Sequence, residues 1–221
     1  MLVLLFLLFS SCLSFEGLFK VGPSEVNNYL TQSNYLSELA KQANVQLQNL
    51  RTIKSYLIDE KPGDWAACVR WARLLWQQEF HNQIAQLLHN FPSDATTSDG
   101  QAFWSGAKRP PVVLHFDPSD QLHMDFIEAA ASLRAHNYRI APETNRAAMR
   151  AIVAAVVPEP FVPAQNAKIA TTEAEAKELL DKEMSGDDHE VQVQAIVAAL
   201  PTPAKMEGYH LQSIEFEKVS R

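Results

Sequence analysis

The sequence predicts a mainly α-helical fold with minor β structure near residues 112–116 and 208–217. Apolar residues recur at three- and four-residue spacings along most of the chain from residue 23, which is the period of an amphipathic helix. Proline and glycine interrupt these runs where helices are expected to end. With 47% hydrophobic residues and only seven glycines among 221 residues, the chain is able to bury a substantial core.

The clearest helix is predicted from Trp65 to about Leu88, with Asp64 as its N-cap. Three- and four-residue steps define its apolar stripe, which consists of Trp65, Cys68, Val69, Ala72, Trp76, Phe80, Ile84 and Leu87.

A second long helix is predicted from about Ser119 to Tyr138, closed by Pro142. The residues expected to face inward along it are Leu122, Phe126, Ala130 and Leu133. Shorter helices are predicted over 24–30, around 47–57 and over 144–157. Two capping-box patterns, Thr172 with Glu175 and Asp187 with Glu190, are typical of the starts of further helices.

The first 14 residues form an apolar leader that differs from the rest of the chain. The run "MLVLLFLLF" is too short to span a bilayer and resembles the hydrophobic part of a signal peptide. No lysine or arginine precedes it, so the charged start of such a peptide is missing. Two interpretations stay open: a weak secretion signal, or sequence that does not belong to the folded protein.

The charge balance argues against nucleic-acid binding. Nineteen basic and 26 acidic residues give a net charge of −7, whereas a phosphate-backbone binder needs a basic face. Much of the negative charge lies in residues 173–190, where acids and lysines are spaced for pairing along a helix. We interpret this segment as a solvated helix face; a contact with a basic partner is the alternative.

Cysteine and histidine usage gives no metal-binding pattern. Cys12 and Cys68 are too few for a cysteine-based zinc site, and the seven histidines form no HExxH or similar pair. Cys68 lies in the first turn of its predicted helix, near Arg70, where a thiolate would be favoured, but it also belongs to the apolar stripe. We therefore expect Cys68 to be a packing residue and assign no catalytic residue.

The loop "FWSGAKRPP", residues 103–111, is the most distinctive local feature. Trp104, Lys108 and Arg109 would form an aromatic and cationic surface for a partner. The alternative is a connection between helices that packs its own aromatic side chains. No Gly-rich phosphate loop is present, so no nucleotide cofactor site is predicted in this chain.

Five blocks of the sequence resemble, in order, the second catalytic-cysteine half-domain of eukaryotic ubiquitin-activating enzymes. They are "FEGLFKVGPSEVNNYL", the run from "WAACVRWARLLWQQEF" through "FWSGAKRPP", "HMDFIEAAASLRAHNYRI", "VPEPFVPAQNAKI" and "FEK". The resemblance covers residues 15–218, which leaves 1–14 as the leader and 219–221 as a tail. It implies a largely helical module in an enzyme that uses ATP and magnesium at a separate adenylation domain.

In that family, a cysteine of the half-domain attacks the modifier's acyl-adenylate, and the thioester is passed to a conjugating enzyme. The family cysteine opens a motif like C-T-L-x-x-F-P-N, roughly five to six helical turns before the segment matched by "FEGLF". Cys12 lies three residues before Phe15, and neither Thr-Leu nor Phe-Pro-Asn follows it. Neither Cys12 nor Cys68 therefore matches the nucleophile, and the resemblance predicts a fragment that is inactive by itself.

The resemblance implies three further properties of the chain. Ubiquitin or a ubiquitin-like protein and the adenylation domain of the parent enzyme are the expected partners, and Glu173 is a further contact candidate. The expected location is cytoplasmic and nuclear, or secretory if the leader is a working signal peptide. Two alternatives stay open: a non-catalytic helical module that binds a ubiquitin-like protein, and an unrelated cysteine enzyme that uses Cys68.

Overall fold

The structure is a computed structural model and describes residues 15–97, 100–106, 108–165 and 187–216. The α-helices of this part are α1 (Gly22–Thr31), α2 (Tyr35–Leu39), α3 (Ala43–Lys54), α4 (Trp65–Gln77), α5 (Gln83–Asn90), α6 (Gln121–Asn137), α7 (Arg146–Ala155) and α8 (Asp187–Ala199). Three π-helical turns, Gly17–Val21, Ser55–Asp59 and Gln78–Asn82, directly adjoin α-helices, and a 3-10 turn covers Pro203–Met206. The predicted mainly α fold is confirmed.

The predicted strands near residues 112–116 and 208–217 are wrong for the residues described. In that part the one β pairing is an isolated antiparallel bridge, Thr96 to Ala102. Residues 112–116 and 209–216 have no regular secondary structure, Gly208 lies in a turn with a φ of +78°, and two amide groups of these segments bond to helical residues instead of a strand. The backbone N–H of Leu114 donates to Phe80 O (3.2 Å), and that of Gln212 donates to Asn137 O (2.8 Å). Alternating apolar residues favour an extended chain, but a ladder also requires a second strand.

The long helix predicted from Trp65 is confirmed, and a π-helical turn divides it. Asp64 caps α4 by accepting a hydrogen bond from the Ala67 N–H (2.7 Å). The predicted stripe is buried through Trp76 and again at Leu87, whereas Phe80 and Ile84 are only half-buried. The turn Gln78–Asn82 lies between the two parts of the stripe. A π-helical turn adds a residue to the helix and so rotates the face beyond it.

The inward face predicted for the second long helix is displaced along α6. Leu122 is 78% exposed, and Phe126 and Leu133 are half-buried; of the four predicted residues only Ala130 is fully buried. The residues buried along α6 are Met124, Ile127, Ala130, Ala131, Arg134, Ala135 and Asn137. The prediction placed the buried face of α6 from apolar residues alone. It was displaced because two of the buried side chains, Arg134 and Asn137, are polar.

The other predicted helices are present with shifted ends. The helix predicted over 144–157 is α7 (Arg146–Ala155), and Asn145 caps it by accepting hydrogen bonds from the N–H groups of Ala147 and Ala148. Helix α8 begins at Asp187, in the position predicted from the second capping box. The first capping box, most of the acidic segment and the apolar leader lie outside the described residues.

The chain divides into two compact units. Among the described residues, the first unit contains 64–132 and 142–165, and the second contains 15–63, 133–141 and 187–216. In the first unit α4 packs against α7. An aromatic cluster continues its core, in which Trp76 contacts Phe80, Phe116 and His123 with ring centroids 4.6–5.5 Å apart. No described helix is long and apolar enough to cross a membrane.

The second unit has a core of aliphatic and tyrosine side chains. Its buried members are Val26, Tyr29, Tyr35, Leu39, Leu47, Leu50, Ile53, Tyr56, Leu57, Val193, Leu200 and Leu211. Helix α3 packs against both α1 and α8. The guanidinium of the fully buried Arg134 lies 4.5 Å from the ring centroid of Tyr56 and 5.0 Å from that of Tyr138. Its Nη2 donates to the carbonyl of Glu60 (3.1 Å), which gives the buried cation a polar partner.

Candidate functional site

The loop that follows α5 is a folded structure built around stacked aromatic rings. Phe91 and Phe103 stack with centroids 4.4 Å apart and planes 6° from parallel. The bridge between Thr96 and Ala102, with a hydrogen bond from Phe103 N to Ala95 O (2.8 Å), closes the loop above them. Leu87 of α5 lies in the same cluster. The loop is therefore fixed to the end of the long helix by its own side chains.

Trp104 is held inside this loop by its indole nitrogen. The Nε1–H group donates to the carbonyls of Phe91 (3.0 Å) and Pro92 (2.9 Å). The indole meets Phe103 edge-on, with centroids 5.0 Å apart. The polar end of the side chain is thus used within the loop, and the half-buried ring leaves part of its surface accessible.

The two cationic candidates follow a tight turn. Gly106 has a φ of +62°, a conformation that favours glycine, and the N–H of Lys108 donates to Ser105 O (3.0 Å). The Lys108 ammonium lies 5.3 Å from the centroid of Phe103, within cation–π range. Arg109 is exposed.

The structure therefore brings Trp104 and Lys108 together on Phe103 and leaves Arg109 at the surface beside them. Glu173 lies outside the described residues. The contact of these four residues with a partner stays a prediction. The packing of Phe103 and Trp104 agrees with the alternative that the loop packs its own aromatic side chains. Sequence reasoning did not name Phe91, although an aromatic residue at each end of a turn-rich loop was the available signal.

Cys68 is a core residue, as predicted. It is 0% exposed in the first unit, next to Val69 and Ala72 of the same buried face. A thiol acts as a nucleophile only when the acyl donor can reach its sulfur. In this conformation Cys68 is inaccessible to any such donor. Cys12 lies outside the described residues.

A separate cavity of about 500 Å³ lies in the second unit. It is lined by Gly17, Leu18, Val21, Gly22, Glu25, Gln48, Asn49, Arg51, Thr52, Ser55, Tyr56 and Glu60. Burial raises the pKa of Tyr56 to about 12, and its hydroxyl donates to the carbonyl of Leu18. The lining contains no cysteine or histidine; its ionisable side chains are Glu25, Arg51, Tyr56 and Glu60.

No three histidine, cysteine, aspartate or glutamate side chains in the described part of the chain group together to hold a metal ion. The glycines of this part are at positions 17, 22, 63, 100, 106 and 208; two pairs lie five and six positions apart, and none belongs to a Gly-rich run.

The fold and the site define a helical protein with an aromatic loop and a buried cysteine. Comparison with known proteins identifies its family. Residues 12–220 match the family model described as "Ubiquitin-activating enzyme, SCCH domain". The chain belongs to this family. The match spans almost the whole chain, both compact units included.

Named relatives agree with the family match. The chain is 44% identical over 207 residues to Ubiquitin-like modifier-activating enzyme 1 of Dictyostelium discoideum, which covers 93% of this chain and 20% of the relative. It is 41% identical over 204 residues to Ubiquitin-activating enzyme E1 1 of Schizosaccharomyces pombe. This match covers 92% of this chain and 20% of the relative. It is 38% identical over 205 residues to Ubiquitin-like modifier-activating enzyme 1 of Homo sapiens. This match covers 92% of this chain and 19% of the relative.

The chain thus spans about a fifth of the length of the relatives it matches. These findings confirm the predicted relation to part of a ubiquitin-activating enzyme. They do not favour the alternative of an independent helical binding module.

Proposed function

We propose that this chain is the helical half-domain on which a ubiquitin-activating enzyme forms its thioester with ubiquitin before transfer to a conjugating enzyme. The observation that carries the proposal is the family match over residues 12–220, together with relatives whose names state ubiquitin activation. In this role the half-domain positions the thioester and its partners, and a separate adenylation domain with ATP and magnesium energises the acyl group.

The 221-residue chain by itself is expected to be inactive in thioester formation. The burial of Cys68 supports this expectation, because no acyl donor can reach its sulfur in the folded state. Incubation of the purified chain with ubiquitin, ATP and magnesium, followed by non-reducing electrophoresis, checks it. We expect no reductant-sensitive adduct, whereas the full-length Dictyostelium relative serves as the positive control. An adduct formed without a second enzyme would contradict the inactive-fragment proposal.

A chimera tests the positive part of the proposal. Residues 15–216 would replace the matching segment of the Dictyostelium relative, whose own catalytic cysteine and adenylation domain would be retained. We expect the chimera to form the ubiquitin thioester and to transfer it to a conjugating enzyme. Cys68→Ala in the chimera is the matched control and should leave thioester formation within about twofold, because a packing cysteine has no chemical role. A soluble, folded chimera without thioester formation would contradict the proposal.

The loop around Trp104 is the proposed contact surface toward a ubiquitin-like protein or the adenylation domain of the parent enzyme. Its fixed geometry supports this role, because a preformed loop loses little conformational entropy on binding. In the chimera, Arg109→Glu should weaken transfer about tenfold or more if this exposed cation meets a partner. Arg150→Glu, at an exposed position of α7, is the matched control. Equal effects of the two changes would contradict a specific contact at Arg109.

Cytoplasmic and nuclear location is proposed on the same basis as the function. Secretion would require residues 1–14 to act as a signal peptide. Fusion of the chain to a fluorescent protein, with and without these residues, distinguishes the two outcomes.

A further inference from the structure

Two histidines far apart in sequence lie next to each other in the first unit. The ring centroids of His81 and His115 are 5.1 Å apart, with planes at 65°. His81 belongs to the π-helical turn Gln78–Asn82, and His115 to the extended segment that precedes α6. The hydrogen bond from Leu114 N to Phe80 O (3.2 Å) brings this segment to the turn. Neither ring contributes to the aromatic loop described above.

A backbone carbonyl determines which nitrogen of His81 carries hydrogen. His81 Nδ1 lies 2.7 Å from Leu114 O. A carbonyl oxygen only accepts hydrogen bonds, so Nδ1 must donate and the neutral ring keeps its lone pair on Nε2. Metal-binding histidines are commonly held in this way, with one ring nitrogen bonded to a carbonyl and the other directed to the metal.

The separation of the two rings suits a shared metal ion. Zinc–nitrogen bonds are about 2.0–2.1 Å long, and the centroid of an imidazole lies about 1.1 Å beyond its nitrogen. Two imidazoles on one tetrahedral ion then have centroids about 5 Å apart. The observed 5.1 Å agrees with this value. His81 is half-buried and His115 is exposed, which leaves space for water as further ligands.

We propose that His81 and His115 bind one divalent transition-metal ion of the zinc, copper or nickel class, with water completing the coordination. Imidazole is a preferred ligand for these ions, and oxygen-seeking magnesium or calcium is disfavoured. Because the described residues contain no group of three or more ligands, the site is an open, two-histidine one. No local pattern indicated it, since the 34-residue separation corresponds to no metal-binding motif.

Metal binding would link the π-helical turn Gln78–Asn82 to the segment that precedes α6. A ligand that binds only the folded state stabilises it, so the ion should raise the thermal midpoint of the protein.

Calorimetric titration of the full 221-residue chain with Zn²⁺ tests the site. His115→Ala and His81→Ala should each weaken binding at least tenfold, and His115→Ala, at an exposed position, should fold normally. His89→Ala, another exposed histidine at the end of α5, is the matched control and should leave the affinity unchanged. Cu²⁺ bound to the wild-type chain should show electron paramagnetic resonance couplings to two imidazole nitrogens, and to one in either variant.

Two results would overturn the proposal. The first is an absence of saturable binding up to about 1 mM Zn²⁺. The second is binding that persists at full affinity when both His81 and His115 are replaced. Neither result bears on the thioester assay of the chimera, so failure of the metal site and failure of the proposed function are separable.

Discussion

At the scale of the residue, buried polar side chains hold the second unit together. Asn137 is fully buried, and its Nδ2 donates to the carbonyls of Phe19 (3.0 Å) and Gln212. The Phe19 carbonyl also accepts from Ile214 N (3.0 Å). One amide side chain thus connects the first helical turn, the end of α6 and the extended segment after α8.

Asn137→Ala should lower the free energy of unfolding by about 1–3 kcal/mol, because the carbonyls of Phe19 and Gln212 each lose a hydrogen bond from the buried amide. Urea unfolding of the purified chain measures this change. Asn28→Ala, which removes a hydrogen bond to Gln32 at the surface, is the control and should cost less than about 0.5 kcal/mol. Equal costs for the two variants would contradict the role of Asn137 as a buried link.

Gly22 is required by close packing, whereas Gly17 is not. A Cβ atom at Gly22 would lie 2.9 Å from the ring carbon Cζ and the hydroxyl of Tyr56, a ring held by its bond to Leu18. Gly22→Ala should therefore destabilise the fold by about 1–3 kcal/mol. Gly17 belongs to the π-helical turn before α1, and a Cβ atom added there would have no neighbour within 4 Å, so Gly17→Ala should stabilise by up to about 1 kcal/mol. Thermal unfolding of both variants should give shifts of opposite sign.

Glu79 makes stability depend on pH. Burial raises the pKa of its carboxyl group, although a hydrogen bond from Gln83 lowers it in part. The folded state therefore binds the proton more tightly, and stability is lost as the pH rises from the unfolded pKa through the folded one. Glu79→Gln should raise the free energy of unfolding at pH 7, and the difference from wild type should shrink toward pH 4. A gain that stayed constant over this range would contradict the burial of charge as its cause.

At the scale of the element, capping residues determine where helices begin. The π-helical turns determine which side of a helix is buried beyond them. The Asp64 side chain caps α4, whose buried face includes Trp65, Cys68, Val69, Ala72, Arg73 and Trp76. The turn Gln78–Asn82 then rotates the helix; within it His81 bonds to the carbonyl of Leu114, and beyond it Leu87 packs with Phe103 of the loop after α5. Local sequence placed the cap correctly but did not indicate the turn.

Asp64→Ala should cost about 1 kcal/mol, because the Ala67 N–H loses its acceptor. Asp64→Asn removes the charge but keeps a capping oxygen, so it should cost only a few tenths of a kcal/mol. Comparing these two variants separates the loss of the cap from the loss of the exposed ion pair between Asp64 and Arg70. In that ion pair Arg70 Nη2 lies 3.8 Å from Asp64 Oδ1. Equal losses in urea unfolding would assign the effect to the charge instead of the cap.

At the scale of the whole molecule, the rate at which Cys68 is alkylated measures how well the fold buries its thiol. In a Cys12→Ser background, Cys68 is the one remaining thiol. Its 0% exposure predicts alkylation at least about 100-fold slower in the folded protein than in denaturant, because opening of the structure must precede the reaction. Mass spectrometry after iodoacetamide treatment gives both rates. Rapid alkylation in the folded state would instead support an unrelated cysteine enzyme.

Sequence by itself determined the helical class, most helix positions, the packing role of Cys68 and the family, because these depend on short-range periodicity, caps and contiguous blocks of residues. The tertiary structure decided the face of α6, the absence of strand pairing at 112–116 and 208–216, and the two-histidine pair. Each of these depends on which distant segment lies alongside. That contact comes from the packing of the whole unit, and no local pattern of residues encodes it.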